Sequence, residues 1–244
     1  MQTTSVPLRR ITAEERPNAF GSGCLLRIKE RLFLLSALHV TGSGEKDASG
    51  RWMLQLNYNE KTMRTEVLWL PPLWSVARVT NAEISVDLSF APIHSDIDCR
   101  FQHWTPANGC VDDRPRHVFD IGDICRPKED QTYGFAGEVL PEFITDVKAL
   151  VTEHHTNIGL IFSRTEGDYH YFRLRAGHPG HARFQGCSGA PIVDEHRRVV
   201  ALLCGGCSTS SEVWGVDLGF YQVALKRACE VLDDEQPISS ASTG

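Results

Sequence analysis

The sequence predicts an all-β protein that consists of two units and ends in one α-helix. Three observations lead to this prediction. Short apolar runs bounded by charged or turn residues recur along most of the chain, which is typical of antiparallel strands. An irregular stretch at 96–118, rich in His, Asp, Pro and Arg, separates the earlier runs from the later ones. Helical periodicity is confined to residues 221–232, near the C-terminal end.

The first unit is predicted to cover residues 19–95, after an N-terminal arm at 1–18 whose clustered charges show little periodicity. Two apolar runs at 23–29 and 32–38 flank a short charged turn, as expected for a pair of neighbouring strands. Further strands are predicted at 52–58, 65–70, 77–79 and 87–92. The irregular stretch at 96–118 then serves as the connector between the units.

The second unit is predicted to cover residues 119–234. The spacing of its apolar runs is typical of a closed antiparallel barrel. Its strands are predicted at 124–126, 131–135, 159–163, 169–174, 190–193, 199–203 and 213–218. Apolar residues at helical spacing predict the amphipathic helix, and they are Val223, Ala224, Ala228 and Val231. The Ser-rich segment 235–244 is predicted to be a flexible tail.

Composition excludes several classes of function. The 244 residues are 41% hydrophobic and 23% charged, which is ordinary for a globular protein with a sizeable core. A net charge of -6 gives no basic field for a phosphate backbone, so we expect no nucleic-acid partner. The apolar run at 32–38 is among the longest and falls far short of the ~20 residues that span a bilayer, so we expect no membrane span.

The N-terminal residues do not resemble a secretory signal, because no apolar stretch follows basic residues there. We therefore expect a cytoplasmic protein. Its eight cysteines are then best interpreted as reduced thiols packed as small hydrophobes rather than as disulfides. These residues are Cys24, Cys99, Cys110, Cys125, Cys187, Cys204, Cys207 and Cys229.

Three residues form a candidate catalytic set. Ser188 stands in a glycine-containing segment that continues into a proline and an apolar run, which indicates a nucleophile on a tight turn. His39 ends an earlier apolar run and offers a general base, since imidazole titrates near neutral pH. Asp87 lies between Val86 and Leu88 and needs a partner if buried. Taken singly, each residue fits a surface serine, a packed histidine or a capping aspartate; the order His, Asp, Ser favours catalysis.

That order is the one found in chymotrypsin-type hydrolases. Over residues 19–230 the chain resembles a trypsin-like serine peptidase of the chymotrypsin fold, and is most similar to bacterial stand-alone and HtrA-type peptidase domains. The segment around Ser188 resembles their pattern Gly-x-Ser-Gly-x-Pro. Three other segments also resemble the family: 21–23, 133–135 and 199–206. The resemblance implies two antiparallel six-stranded β-barrels with a C-terminal α-helix.

The resemblance also implies how the site works. Ser188 would attack the substrate carbonyl while His39 takes its proton, and Asp87 would orient the imidazole. The backbone N–H groups of Gly186 and Ser188 would form the oxyanion hole. Neither a metal nor an organic cofactor is implied.

Cys187 departs from the secreted members of the family, in which an Asp at this place receives the amino terminus created by cleavage of a propeptide. This chain therefore has no Asp at that place to receive a new amino terminus. The resemblance therefore implies constitutive activity or control by a regulatory protein partner. The thiol is open to two interpretations, a structural residue or a redox brake, and the first is favoured without an indication of a low pKa.

Substrate selection is ambiguous in the sequence. By resemblance, the pocket is formed by residues ahead of the serine and by the two strands near 203–206 and 214–218. Ala182 would lie at its base, which does not favour cleavage after Arg or Lys. Arg183 would favour an acidic side chain and Asp217 a basic one, unless they face solvent or pair. Its wall would contain Cys204, Gly205 and Gly206, and the glycines would leave it open.

Cys204 and Cys207 have the C-x-x-C spacing of a zinc or redox site, and His178 and His181 offer two further ligands. No second pair of ligands follows at the spacing that is standard for zinc sites. Loop thiols and surface imidazoles are therefore the favoured interpretation, and no metal is expected.

We expect a serine endopeptidase that acts on a protein or peptide substrate through an acyl-enzyme, with limited processing of a specific target. Irregular segments at 41–51 and 95–118 are candidates for selecting that target. A catalytically silent trypsin-fold binding module and an esterase-like serine hydrolase are the alternatives.

Overall fold

The structure is a computed structural model, and it describes residues 1–42, 50–59, 61–62, 64–79, 83–105, 109–144, 149–180 and 184–235. The remaining residues include Ala182, Arg183, His181 and nearly all of the predicted tail, so these predictions fall outside the described residues. In the part that is described, no helix is both long and apolar enough to cross a membrane.

The first unit is an antiparallel sheet with one short helix. Its strands are β1 (Val6–Ile11), β2 (Pro17–Ile28), β3 (Arg31–Ser36), β4 (Arg51–Asn59), β5 (Arg64–Trp69), β6 (Trp74–Val79) and β7 (Glu83–Ile93). They are ordered β5-β4-β1-β2-β3-β7-β6. Helix α1 (Leu38–Thr41) follows β3 directly, so the turn after the strand carries His39. Asp87 lies within β7, which pairs with β3.

Strand β1 corrects the prediction of an N-terminal arm. Val6 and Leu8 are buried, and β1 pairs with both β2 and β4. The sequence hid this strand because Arg9 is also buried, with only 5% of its surface exposed. Arg9 is compensated by Glu138 from the second unit, whose carboxylate lies 2.6 Å away. Burial of a charge at this position therefore depends on a residue distant in sequence.

The predicted connector contains regular structure as well. Strands β8 (Arg100–Thr105) and β9 (Gly109–Pro115) form a two-stranded hairpin, and β10 (Val118–Asp120) pairs in parallel with β2. Phe101 is fully buried beneath the guanidinium groups of Arg114 and Arg116, which lie 5.3 and 5.2 Å from the ring centroid. Because charged side chains cover this apolar residue, the sequence of the predicted connector shows no regular alternation of apolar and polar residues.

The second unit is the closed antiparallel barrel that the spacing predicts, in the order β11-β12-β13-β16-β15-β14. Its strands are β11 (Thr132–Ile144), β12 (Ala149–Glu166), β13 (Tyr169–Arg173), β14 (Pro191–Asp194), β15 (Val199–Cys207) and β16 (Glu212–Asp217). Strands β11 and β12 extend well beyond their predicted bounds. Buried aromatic residues, among them Tyr133, Phe135 and Phe172, fill the barrel.

Helix α2 (Leu218–Glu235) closes the described chain and confirms the helical prediction. Tyr221, Leu225 and Cys229 form its buried face. They join a core cluster that includes Phe33 of the first unit and Leu202 of the second. One continuous core therefore links the two units and fixes the cleft between them. All eight cysteines are free thiols.

Candidate active site

His39 and Asp87 form a doubly hydrogen-bonded pair. The Asp87 Oδ2 atom lies 2.8 Å from His39 Nδ1, and Asp87 Oδ1 accepts a 2.8 Å hydrogen bond from the backbone N–H of His39. Both carboxylate oxygens of Asp87 therefore bond to His39. This arrangement fixes the ring and leaves Nε2 as the nitrogen that can face a nucleophile.

The surroundings keep Asp87 ionised. Burial opposes its charge, but the hydrogen bonds from the His39 side chain and backbone outweigh burial and hold the pKa of Asp87 below its usual value. The His39 side chain is 47% exposed and that of Asp87 19%. The acid is therefore sheltered while the base remains accessible to a substrate.

Ser188 lies on a tight turn at 184–189, which we call the nucleophile turn. Two backbone hydrogen bonds tighten it: Cys187 N–H donates to the Phe184 carbonyl and Ala190 N–H to the Cys187 carbonyl, each at 2.9 Å. Gly186 has a φ of +103°, a conformation that favours glycine. Ser188 is half-buried, and it lines a cleft of about 980 Å³ together with His39.

The predicted oxyanion hole involves two backbone N–H groups of this turn, those of Gly186 and Ser188. The carbonyl of Cys187 points to Ala190, so the Ser188 N–H, which is trans to it across the same peptide plane, points the other way. Among the residues that the structure describes, no acceptor is paired with the N–H of Gly186 or of Ser188. Backbone donors beside a nucleophile are the feature that stabilises a tetrahedral oxyanion, and the assignment of Gly186 and Ser188 to this role stays a prediction.

Cys187 is a structural thiol. It is fully buried, and burial raises the pKa of its thiol to about 12. A redox brake requires an accessible thiol with thiolate character, so the structure disfavours that alternative.

The predicted wall residues Cys204, Gly205 and Gly206 line the cleft. A Cβ atom at Gly205 would lie 2.6 Å from the Trp214 ring, and one at Gly206 would lie 2.9 Å from His178 Nε2. Each glycine therefore makes room for a neighbouring ring, and the entry of a large substrate side chain at this wall stays a prediction.

Asp217 lies away from this wall, which corrects its assignment to the pocket. Its Oδ1 atom accepts a 3.0 Å hydrogen bond from the N–H of Phe220, and the same atom lies 3.3 Å from His170 Nε2. Burial opposes ionisation, but the neighbouring His170 and hydrogen bonds from backbone N–H groups hold the pKa of Asp217 below its usual value. Its role is to cap helix α2.

The two thiols of the C-x-x-C segment are free and lie in different surroundings. Cys204 is 9% exposed with Sγ 3.9 Å from the Asp87 carbonyl oxygen, whereas Cys207 hydrogen-bonds Thr209 on the outside. In the described part of the chain, no group of three His, Cys, Asp or Glu side chains is arranged to bind a metal. His178, interpreted above as a surface imidazole, instead lines the cleft and packs on Phe184 at 4.7 Å between ring centroids.

Sequence reasoning missed two features of this site. Ser22 contacts the nucleophile turn from β2, and Trp214 fills the space beside Gly205. Ser22 stands in the 21–23 segment noted above, but nothing in the sequence indicated its contact, which spans 164 positions.

Comparison with known proteins defines the fold. No family model matches the chain, and no curated protein matches it. Solved structures do. A serine endoprotease from Yersinia pestis is similar over 94% of this chain and 64% of its own length, at 11% identity and a TM-score of 0.54. The scabies mite inactivated protease paralogue S-D1 is similar over 94% of this chain and 93% of its own, at 10% identity and a TM-score of 0.57.

This chain has the fold of the trypsin-like serine proteases. Human heparin binding protein is also similar, over 92% of this chain and 91% of its own length, at 9% identity and a TM-score of 0.55. Since the similar structures include an inactivated paralogue, the chymotrypsin fold alone does not decide whether the site is catalytic.

Proposed function

We propose that this protein is a serine endopeptidase with Ser188 as nucleophile, His39 as general base and Asp87 as the residue that orients the base. The observation that carries the proposal is the His39–Asp87 pair, in which Nδ1 lies 2.8 Å from the carboxylate while the ring faces the cleft that Ser188 also lines. An imidazole held in this way has one nitrogen left for the serine hydroxyl.

The proposed reaction proceeds in two halves. The Ser188 oxygen attacks the carbonyl carbon as His39 takes the hydroxyl proton, and the oxyanion is stabilised by the N–H groups of Gly186 and Ser188. His39 then donates this proton to the leaving amine and the C–N bond breaks, which leaves an acyl-enzyme. Water, deprotonated by His39, attacks the ester and releases the acid and free Ser188.

The dimensions of the cleft support a protein or peptide substrate. A volume of about 980 Å³ lies at the upper end of the usual range for ligand sites, so several residues of an extended chain fit. Acyl-enzyme chemistry also handles esters. Comparing turnover of a peptide library with that of simple aryl esters separates a peptidase from an esterase-like hydrolase, and only peptide cleavage agrees with the proposal.

The second candidate is a binding module that uses the same scaffold without catalysis. It is favoured by one observation, that the similar structures include an inactivated protease paralogue and a heparin binding protein. The intact set of His39, Asp87 and Ser188 supports catalysis instead, since a module that only binds has no chemical need of this set.

Labelling with a fluorophosphonate probe tests the proposal. We expect the wild-type protein to react at one site and Ser188→Ala and His39→Ala to show no labelling. Ser163→Ala, at an exposed serine of β12, is the matched control and should label like wild type. Folding is checked for every variant by circular dichroism. A folded wild-type protein that does not label contradicts the proposal and favours the binding module.

A further inference from the structure

Ser22 of the first unit holds the nucleophile turn of the second by two hydrogen bonds. Its backbone N–H donates to the Ser188 carbonyl at 2.8 Å, and its Oγ donates to the Gly186 carbonyl at 2.7 Å. Ser22 is 1% exposed, so water does not compete with these bonds. They reach the two residues whose N–H groups are proposed to bind the oxyanion.

The two bonds orient the peptide units of the turn. The Gly186 carbonyl is directed to Ser22, and the N–H across the same peptide, that of Cys187, donates to Phe184 at 2.9 Å. The Ser188 carbonyl is likewise directed to Ser22, and the N–H of Gly189 donates to Leu203 at 2.7 Å. With both carbonyls fixed, the turn cannot rotate these peptides without breaking a buried hydrogen bond, which is costly.

Close packing confirms that the turn has little room near Ser22. A Cβ atom at Gly189 would lie 2.0 Å from the Ser22 carbonyl oxygen, and one at Gly137 would lie 3.1 Å from Ser22 Oγ and 2.9 Å from Cys187 Sγ. The turn is therefore enclosed by β2 on one side and β11 on the other. Among the residues that the structure describes, only the hydroxyl of Ser22 donates a hydrogen bond to the carbonyl of Gly186.

We propose that Ser22 is a positioning residue: its hydroxyl orients the 186–187 peptide, which lies between the two peptides that carry the N–H groups of the proposed oxyanion hole, and so sets the geometry of that hole. The inference rests on the proposed function for its catalytic consequence. Ser22 touches neither the substrate nor the reacting atoms; it acts through the turn.

Further buried hydroxyl groups support Ser22 from behind. Ser36 Oγ donates to the Ser22 carbonyl at 2.7 Å, and Ser89 Oγ donates to the Ser36 carbonyl at 3.2 Å. Thr41 Oγ1 in turn donates to Ser89 Oγ at 2.8 Å. Thr41 belongs to the helix that carries His39, and Ser89 to the strand that carries Asp87. The turn is thus anchored to the same elements as the acid–base pair.

The test compares Ser22→Ala with wild type and with Thr4→Val. Thr4 is a matched control because it is fully buried and its hydroxyl also donates to a backbone carbonyl, that of Met1 at 2.6 Å, yet it does not line the cleft. Two quantities are measured for each protein. The first is the rate of fluorophosphonate labelling, resolved into kinact and KI. The second is amide hydrogen exchange of the peptide that covers 184–190.

We expect Ser22→Ala to lower kinact about tenfold, the rate equivalent of one hydrogen bond, while KI changes less than about twofold. Exchange in 184–190 should become faster in Ser22→Ala and stay unchanged in Thr4→Val. Unchanged exchange in Ser22→Ala overturns the inference, as does an unchanged kinact. If wild-type protein does not label at all, the proposed function has failed, and exchange alone decides whether Ser22 orients the turn.

Discussion

The His39–Asp87 pair is held by hydrogen bonds to a charged carboxylate, whereas the nucleophile turn combines buried hydrogen bonds with close packing at its glycines. Across the cleft, the pair has a ring that is half exposed and an acid whose pKa is lowered by its partner. The turn has Gly186 and Gly189 at φ values of +103° and +87°, with no room for a side chain at either. The pair is therefore tuned by electrostatics, whereas the turn depends on close packing in addition to its hydrogen bonds.

This difference predicts how each half responds to substitution. An electrostatic contact can be weakened while the fold remains intact, because the half-exposed ring retains solvent on one side. A steric contact fails together with the local structure, since no solvent or alternative rotamer can take up the added atoms.

The largest effect on activity is expected for Asp87→Asn. The amide keeps the volume of the carboxylate but cannot stabilise the imidazolium, and its NH₂ group favours the wrong tautomer of His39. Turnover of a peptide substrate should fall by about 10⁴-fold, with the thermal midpoint little changed. A loss smaller than tenfold would show that the pair is not part of a catalytic set.

Gly189→Ala should damage the other half through structure. The new Cβ atom would lie 2.0 Å from the Ser22 carbonyl and 2.5 Å from Ser36 Oγ. We expect a loss on the order of 3 kcal/mol of unfolding free energy, together with loss of fluorophosphonate labelling. Urea titration and labelling measure both.

Gly167→Ala is the control for backbone strain alone. Gly167 also has a positive φ, of +59°, but nothing lies within 4 Å of the position that its Cβ would take. The substitution should lower the free energy of unfolding by only about 1 kcal/mol and leave fluorophosphonate labelling unchanged. If Gly189→Ala and Gly167→Ala lowered the free energy of unfolding equally, backbone strain and not packing would explain the sensitivity of Gly189.

The same contrast explains what the sequence could predict. His39, Asp87 and Ser188 are found from their types, flanks and order, since each lies in a local segment with its own pattern. Strand β1 was missed because burial of Arg9 makes sense only with Glu138, a partner 129 positions away. Ser22 was missed for the same reason.

The pocket wall shows a different limit. A glycine in the sequence indicates missing side-chain volume but not which group takes that volume. At Gly205 the indole of Trp214 takes it, and at Gly206 the ring of His178 approaches. Only the fold brings Trp214 of β16 and His178 of the segment between β13 and β14 to these glycines of β15, so the sequence could not predict the two contacts.

Glu138→Gln tests whether a charged contact between the two units stabilises the fold. Glu138 is fixed by Arg9 at 2.6 Å and by the Thr152 hydroxyl at 2.9 Å, and it also faces Arg116 and His154. Burial opposes its charge, but Arg9, His154 and Arg116 together hold its pKa below the usual value. Replacing it removes the carboxylate that balances the charge of two buried guanidinium groups, and we expect a loss of about 3 kcal/mol in the free energy of urea unfolding at pH 7.

The pH dependence of this loss sharpens the test. Because the folded-state pKa of Glu138 is the lower one, its ionisation stabilises the fold fully above the pKa of an unfolded Glu, about 4.3. That stabilisation disappears as the pH falls through the folded-state value. The difference between wild type and Glu138→Gln should therefore shrink below about pH 4.3. A difference that stays constant between pH 7 and pH 3 contradicts an ionic contribution.

The smallest effect is expected from the thiol outside the cleft. Hydrogen bonds from Ser210 and Thr209 lower the pKa of Cys207 to about 6, whereas burial and then the charge of Asp87 raise that of Cys204 well above its usual value. At pH 7, iodoacetamide should therefore alkylate Cys207 first, and Cys207→Ser should remove this fast phase, as seen by peptide mass spectrometry. Fluorophosphonate labelling should be unchanged. Fast alkylation of Cys204 would contradict the burial of this thiol beside Asp87.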